Sequence, residues 1–190
     1  MSWISREVHV QFCERAGVRL PCATHLVVLA RYISPQLRYW IEGCLEGWLG
    51  LQVNRQKTRV VDLRQKGERL DFLGYTFRYQ QDLQGRPWRY CNLEPSRKAL
   101  AREREALRRR IGRRQCWVPL PKLITEVNRH LRGWANYFGL GYPRQAFRHL
   151  NYYVRERMTQ HLRRRSQRPW RPPNGLHAHT YLDQLGLLRL

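Results

Sequence analysis

Acidic residues are scarce. Fourteen Asp and Glu stand against 36 Lys and Arg in 190 residues, a formal charge of +22, with a pI near 11.0. So little neutralising charge argues against most ordinary small-molecule enzymes and makes a polyanion the expected partner. Lysine is scarcer still: Lys57, Lys66, Lys98 and Lys122 are the only four, and the other 32 cations are Arg. A planar guanidinium pairs phosphate oxygens bidentately, which simple solubilising charge does not require. Long apolar runs are missing. None approaches the roughly 18 residues of a membrane helix, and the N-terminus lacks a signal-peptide pattern, so a soluble, cytoplasmic protein is expected. No C-x-x-C pair occurs, and Cys13, Cys22, Cys44, Cys91 and Cys116 are odd in number and scattered. Neither a disulfide framework nor a zinc knuckle is indicated, and free, mostly buried thiols are expected. His177 and His179 have no third ligand nearby in sequence, so no metal site is expected.

What is present argues for a core: 42% of residues are hydrophobic, with 7 Trp, 10 Tyr and 5 Phe, too apolar for a disordered basic tail. Charge is uneven. Residues 1–95 carry 14 cations and 9 anions, whereas residues 96–190 carry 22 and 5. Runs at Arg108 to Arg110, Arg113 with Arg114, and Arg163 to Arg165 read as a nucleic-acid face, with a solvated helix face as the alternative.

Residues 1–25 show no clean period and stay unassigned. Leu26 to Tyr32 reads as a buried strand. Ser34 and Pro35 then start a helix in which Leu37, Trp40, Ile41, Cys44, Leu45, Trp48 and Leu49 recur at three- and four-residue spacing up to Gly50. Leu51 to Asn54 and Thr58 to Leu63 predict one β-hairpin. Asp71 to Tyr79 and Pro87 to Leu93 predict another. This partial α+β unit over residues 26–95 leaves its sheet without partners and invites self-association. From Ser96 the pattern turns helical: a charged helix to Ile111, a second through Leu123, Ile124, Val127, Leu131, Trp134 and Phe138, and a third burying Phe147, Leu150, Val154, Met158 and Leu162. Residues 96–165 are expected to form a separable three-helix domain, and residues 166–190 a Pro-rich tail with a short helix over Tyr181 to Leu190.

Four motifs, in order, carry a resemblance: LGLQVNRQKTRVVDL (Leu49 to Leu63), DFLGYTF (Asp71 to Phe77), PSRKAL (Pro95 to Leu100) and LRGWANYF (Leu131 to Phe138). From about residue 22 onward the chain resembles the C-terminal part of a group II intron reverse transcriptase and maturase. The resemblance implies an α+β fold, a partial reverse-transcriptase palm followed by a three-helix maturase or thumb domain that grips intron RNA. It puts Lys57 near the palm site and Phe72, Leu73, Gly74 and Tyr75 in a primer-grip-like turn. It also puts Arg132, Trp134, Asn136 and Tyr137 in the thumb signature. Spacing makes Trp134 and Phe138 core residues and leaves Asn136 and Tyr137 as contact candidates. Gly133 is read as a point of close helix approach. With Arg97, Lys98, Arg108, Arg109, Arg110, Arg148, Arg155, Arg163, Arg164 and Arg165 added from charge, these are the candidate RNA contacts.

The chain departs from the family where polymerisation needs carboxylates to hold two Mg²⁺ ions. The family's YADD position here reads Cys22, Ala23, Thr24, His25, so no catalytic residue is assigned and no cofactor is expected in this chain. Asp62, Asp71 and Asp82 follow no ligand spacing. A truncated or frame-shifted gene of a mobile element is the expected origin. The leading function is an RNA-binding maturase module that promotes intron folding and splicing, with DNA a further partner. The alternatives are an RNA-directed DNA polymerase completed by another chain and a nonfunctional remnant.

Overall fold

The computed structural model describes residues 6–13, 25–30, 34–82 and 86–190. They form a mixed α and β chain that divides into two compact units, Met1–Leu70 with Phe77–Cys91, and Asp71–Thr76 with Asn92–Leu190. Among the described residues no helix is long and apolar enough to cross a membrane.

The first unit opens on β1 (Arg6–Cys13), a strand in the segment that sequence periodicity left unassigned. It runs antiparallel to β2 (His25–Ala30), with Arg6 opposite Ala30 and Gln11 opposite His25. The expectation of a sheet without partners is therefore corrected. Along β1 also lie β3 (Gln52–Val53) and β4 (Arg59–Val61), both antiparallel to it. The expected hairpin of 51–63 is thus an interrupted strand whose two halves pair with β1. The polar turn between them closes on Asn54, whose carbonyl accepts from the Lys57 and Thr58 amides at 3.1 and 3.0 Å.

Helix α1 (Pro35–Gly43) starts where expected, with Ser34 Oγ accepting from the Leu37 amide at 3.1 Å. It continues as a π-helical turn over Cys44–Trp48, closed by the Leu49 amide on the Cys44 carbonyl. Each wider π turn rotates later side chains off the earlier stripe. Ile41 and Leu45 bury against Val53, with Leu26, Val28 and Leu37 around them. Trp40, Trp48 and Leu49, expected on the same apolar face, are exposed.

Strands β5 (Arg69–Phe72), β6 (Tyr75–Gln81) and β7 (Arg89–Pro95) form a three-stranded sheet in that order. The expected continuous strand from Asp71 to Tyr79 is broken by a two-residue turn, because Leu73 and Gly74 both have positive φ, 48° and 83°. Two left-handed residues in succession match the twist of a tight hairpin.

The second unit is built on α2 (Arg97–Arg110), α3 (Leu120–Phe138) and α4 (Arg144–Arg164). Ser96 Oγ caps α2 through the Ala99 amide at 3.2 Å. Leu107, Ile111, Val127, Leu131, Leu150, Val154 and Met158 are almost wholly buried in one core. Residues of the tail pack into the same core. Helix α5 (Ala178–Gln184) inserts Leu182, and Leu187 follows it inside. The last helix also falls earlier than expected, stopping before Gly186 at φ 81°. Two side-chain amides pin the segment beyond it. Asn128 donates to the Gly186 carbonyl at 2.7 Å and accepts from the Leu188 amide at 2.8 Å. Asn151 does the same for the carbonyl and amide of Leu190, both at 2.9 Å.

Candidate nucleic-acid interface

Helices α2 and α4 bring their C-terminal ends together. His161, 1% exposed, packs its ring against the backbone of Ile111 and Gly112, and Arg113 and Arg164 line a common hollow. Three runs separated in sequence, Arg108 to Arg110, Arg113 with Arg114, and Arg163 with Arg164, thereby share one end of the helical unit, all exposed. Arginine in a last helical turn also complements the negative end of the macrodipole. Arg108 reaches Glu105 only at 3.9 Å, both of them exposed. Among the described residues no acid pairs with Arg109, Arg113, Arg114, Arg163 or Arg164, while Arg110 acts through charge on the Glu103 carboxyl.

Two candidate contacts are engaged inside the protein instead. Arg165 donates to the Val118 carbonyl at 2.7 Å and ties the loop before α3 to the end of α4. Arg155 pairs with Asp183 of α5 at 2.5 Å. Their partners lie 47 and 28 residues away in sequence, so local charge runs could not reveal them. Arg97, Lys98, Arg132, Asn136 and Arg148 are exposed on their helices, and Lys57 is exposed in its turn in the first unit.

The Phe72, Leu73, Gly74 and Tyr75 turn belongs to the helical unit. Tyr137 donates its hydroxyl to the Leu73 carbonyl at 2.8 Å, and Tyr75 donates its own to the Tyr137 carbonyl. The Ser96 amide bonds the Gly74 carbonyl at 2.8 Å. A Cβ on Gly74 would stand 3.3 Å from the Phe138 ring. Tyr137, expected as an RNA contact, is thus half of a reciprocal clamp, although half of its surface remains open. Phe138 is buried and packs on Trp134 with centroids 4.7 Å apart. Gly133 meets open space, not a neighbouring helix. Leu73 is 67% exposed at the tip, and Phe72 is half-buried.

Two buried titratable groups support the basic end. Glu103 of α2 faces His130 of α3 at 2.9 Å. Burial pushes its carboxyl above the usual range, and His130 and Arg110 pull it partly back. For His161, burial pushes the ring below its ordinary value, and Arg165 and Arg164 act in the same direction. A histidine favoured neutral in the fold contributes stability that is fully present above about pH 6.5 and is lost as pH falls toward the lowered value. Glu103 has the opposite sign, its contribution being present at low pH and lost as pH rises through its raised value. The test is therefore the difference between variants. The melting temperature of the wild type is expected to fall more between pH 7.5 and 5 than that of His161→Gln. Parallel losses would assign the acid sensitivity elsewhere.

Cys44, Cys91 and Cys116 are in no disulfide among the described residues and are half-buried. Cys22, Ala23 and Thr24 lie outside the described residues, as do the side chains of Cys13 and His25. Within the H-x-H pair, His177 Nδ1 accepts from the His179 amide, and His179 faces Glu156 at 3.3 Å. Among the described residues no three His, Cys, Asp or Glu gather closely enough to hold a metal ion. Sequence reasoning noticed Arg113 and Arg114 only as a run and passed over Arg144, Tyr152 and Arg189. An exposed aromatic one helical turn from an arginine was the available signal. No curated protein matches the chain. Residues 100–178, from within α2 to the first residue of α5, match the family model described as Group II intron, maturase-specific domain, and over that stretch the helical unit is similar to such a domain.

Proposed function

We propose that this chain is an RNA-binding module of the maturase type that promotes folding and splicing of a group II intron RNA. The observation that carries the reading is the convergence of three arginine runs on one end of a unit similar to a maturase-specific domain. A compact RNA brings phosphates close together, and guanidinium groups that neutralise them favour the compact state. The strands and helix of residues 26–95 are read as the closing part of a reverse-transcriptase palm, supported by the order in sequence of the Lys57 turn and the FLGY hairpin tip. With Thr24 and His25 in place of carboxylates, the reading assigns no polymerisation, catalytic residue or cofactor to this chain, and it places the protein with RNA in the cytoplasm.

The test is binding to folded group II intron RNA across a salt series. Changing Arg113, Arg114, Arg163 and Arg164 to Gln is expected to weaken binding of all folded RNAs and to make the slope of log K against log salt shallower by about three. Arg165 is left intact because it holds Val118. An unchanged slope would assign the arginines to a solvated surface. Tighter binding to duplex DNA would redirect the reading to DNA handling.

A further inference from the structure

We infer that a groove along the first half of α4 takes an unpaired nucleotide of RNA, with its base on Tyr152 and its phosphate among Arg144, Arg148 and Arg189. The inference rests on the RNA-binding reading above and deepens it, since this face is separate from the basic end.

Residues 144, 148, 152 and 155 follow one another at four- and three-residue steps and so share one face of the helix. The tail completes the site. Asn151 holds both main-chain polar groups of Leu190, which brings Arg189 to the rim of a cavity of about 480 Å³. That volume lies within the range of small-ligand sites. Two groups of the groove already have acidic partners, Arg155 facing Asp183 and His179 facing Glu156. Arg144, Arg148 and Arg189 have no acidic partner among the described residues and are exposed.

Between them stands Tyr152, 64% exposed, its ring against no other aromatic ring among the described residues. An exposed ring beside unpaired guanidinium groups combines the two elements of single-strand recognition, a stacking platform and a cationic track for the backbone. A duplex hides its base faces, and a side chain cannot read the deep major groove of A-form RNA. The occupant is therefore an unpaired base, as in a loop, bulge or single-stranded junction.

The test uses the full chain and two RNAs of equal length, one a hairpin carrying 2-aminopurine in an unpaired loop, the other fully paired. Tyr152→Leu is expected to weaken loop-RNA binding about 5- to 100-fold and to abolish the fluorescence change of stacking, while paired RNA binds as before. Tyr152→Phe should restore both. Arg148→Gln should weaken both RNAs and make the salt slope shallower by about one. Because Tyr152 is exposed, the variants should melt with the wild type. Unchanged loop-RNA affinity in Tyr152→Leu, or an equal loss on both RNAs, would overturn the inference and leave the RNA-binding reading standing. A wild-type protein that binds neither RNA would overturn both.

Discussion

A chain ending at Gly175 is expected to lose the cooperative fold of its helical unit. Removing residues 176–190 strips Leu182, wholly buried, and Leu187, 6% exposed, from the core. Each such loss costs about 2–5 kcal/mol in transfer and cavity terms. The same cut leaves the Asn128 side chain, 9% exposed, without the Gly186 carbonyl and Leu188 amide, at about 1–3 kcal/mol for unsatisfied buried polar groups. The sum, roughly 5–13 kcal/mol, rivals the whole stability of an ordinary domain, about 5–15 kcal/mol. Thermal melting by circular dichroism should show a cooperative helical transition for the full chain and a broad, featureless loss for the shortened one. Leu182→Ala should melt lower but still cooperatively. If the shortened chain kept a sharp transition near that of the full chain, the tail would be an accessory to the core.

Gly141→Ala is expected to destabilise the helical unit by about 3–6 kcal/mol, lowering its melting temperature by at least about 10 °C. Gly141 has φ +78°, and a Cβ there would stand 2.5 Å from the Leu93 carbonyl oxygen, 2.9 Å from Leu93 Cβ and 3.0 Å from its amide nitrogen. A left-handed non-glycine residue costs about 1–3 kcal/mol. The clash adds to this, because backbone atoms cannot swing aside as a side-chain tip can. Next in the chain, the Tyr142 amide donates to Asn92 Oδ1 at 2.9 Å, and Asn92 is 2% exposed, so a shift of the loop also unpairs a buried amide. Gly133→Ala is the matched control: it sits inside α3 in open space, and it should stabilise by about 0.5–1 kcal/mol. Equal melting temperatures for the two variants would show that the loop has room to move.

The helices were legible because their signals are local. Ser96 before α2, Gly112 after it, and the period of Leu123, Val127 and Leu131 lie within a few turns of what they specify. The strands were less so. In residues 6–13 Val8, Val10 and Phe12 alternate with polar residues, a local strand signal, but nothing local encodes the pairing with β2, β3 and β4. The same polar turn at 54–58 serves a hairpin or an interrupted strand, and the choice is made by β1, far away in sequence. Leu73 is a poor turn residue, and its positive φ accompanies the hydroxyl of Tyr137 on its carbonyl. For the candidate site, charge runs located the arginines, but only folding separates Arg164, which faces solvent, from Arg165, which is committed to Val118. Tyr152 lies off the apolar stripe of its helix, and only the fold brings Arg189 of the tail to the same groove.

The clamp on the Leu73 and Gly74 turn has a consequence in time. Tyr137 follows Leu73 by 64 residues, so at about 5–20 residues per second a ribosome makes the turn about 3–13 s before the residue that locks it. During that interval the hairpin tip has emerged or is emerging while the α3 side chains that cover it do not yet exist. A nascent chain halted before Phe138 would therefore present Leu73, Gly74 and Tyr75 uncovered, so translation itself sets the order in which the two halves of this unit meet.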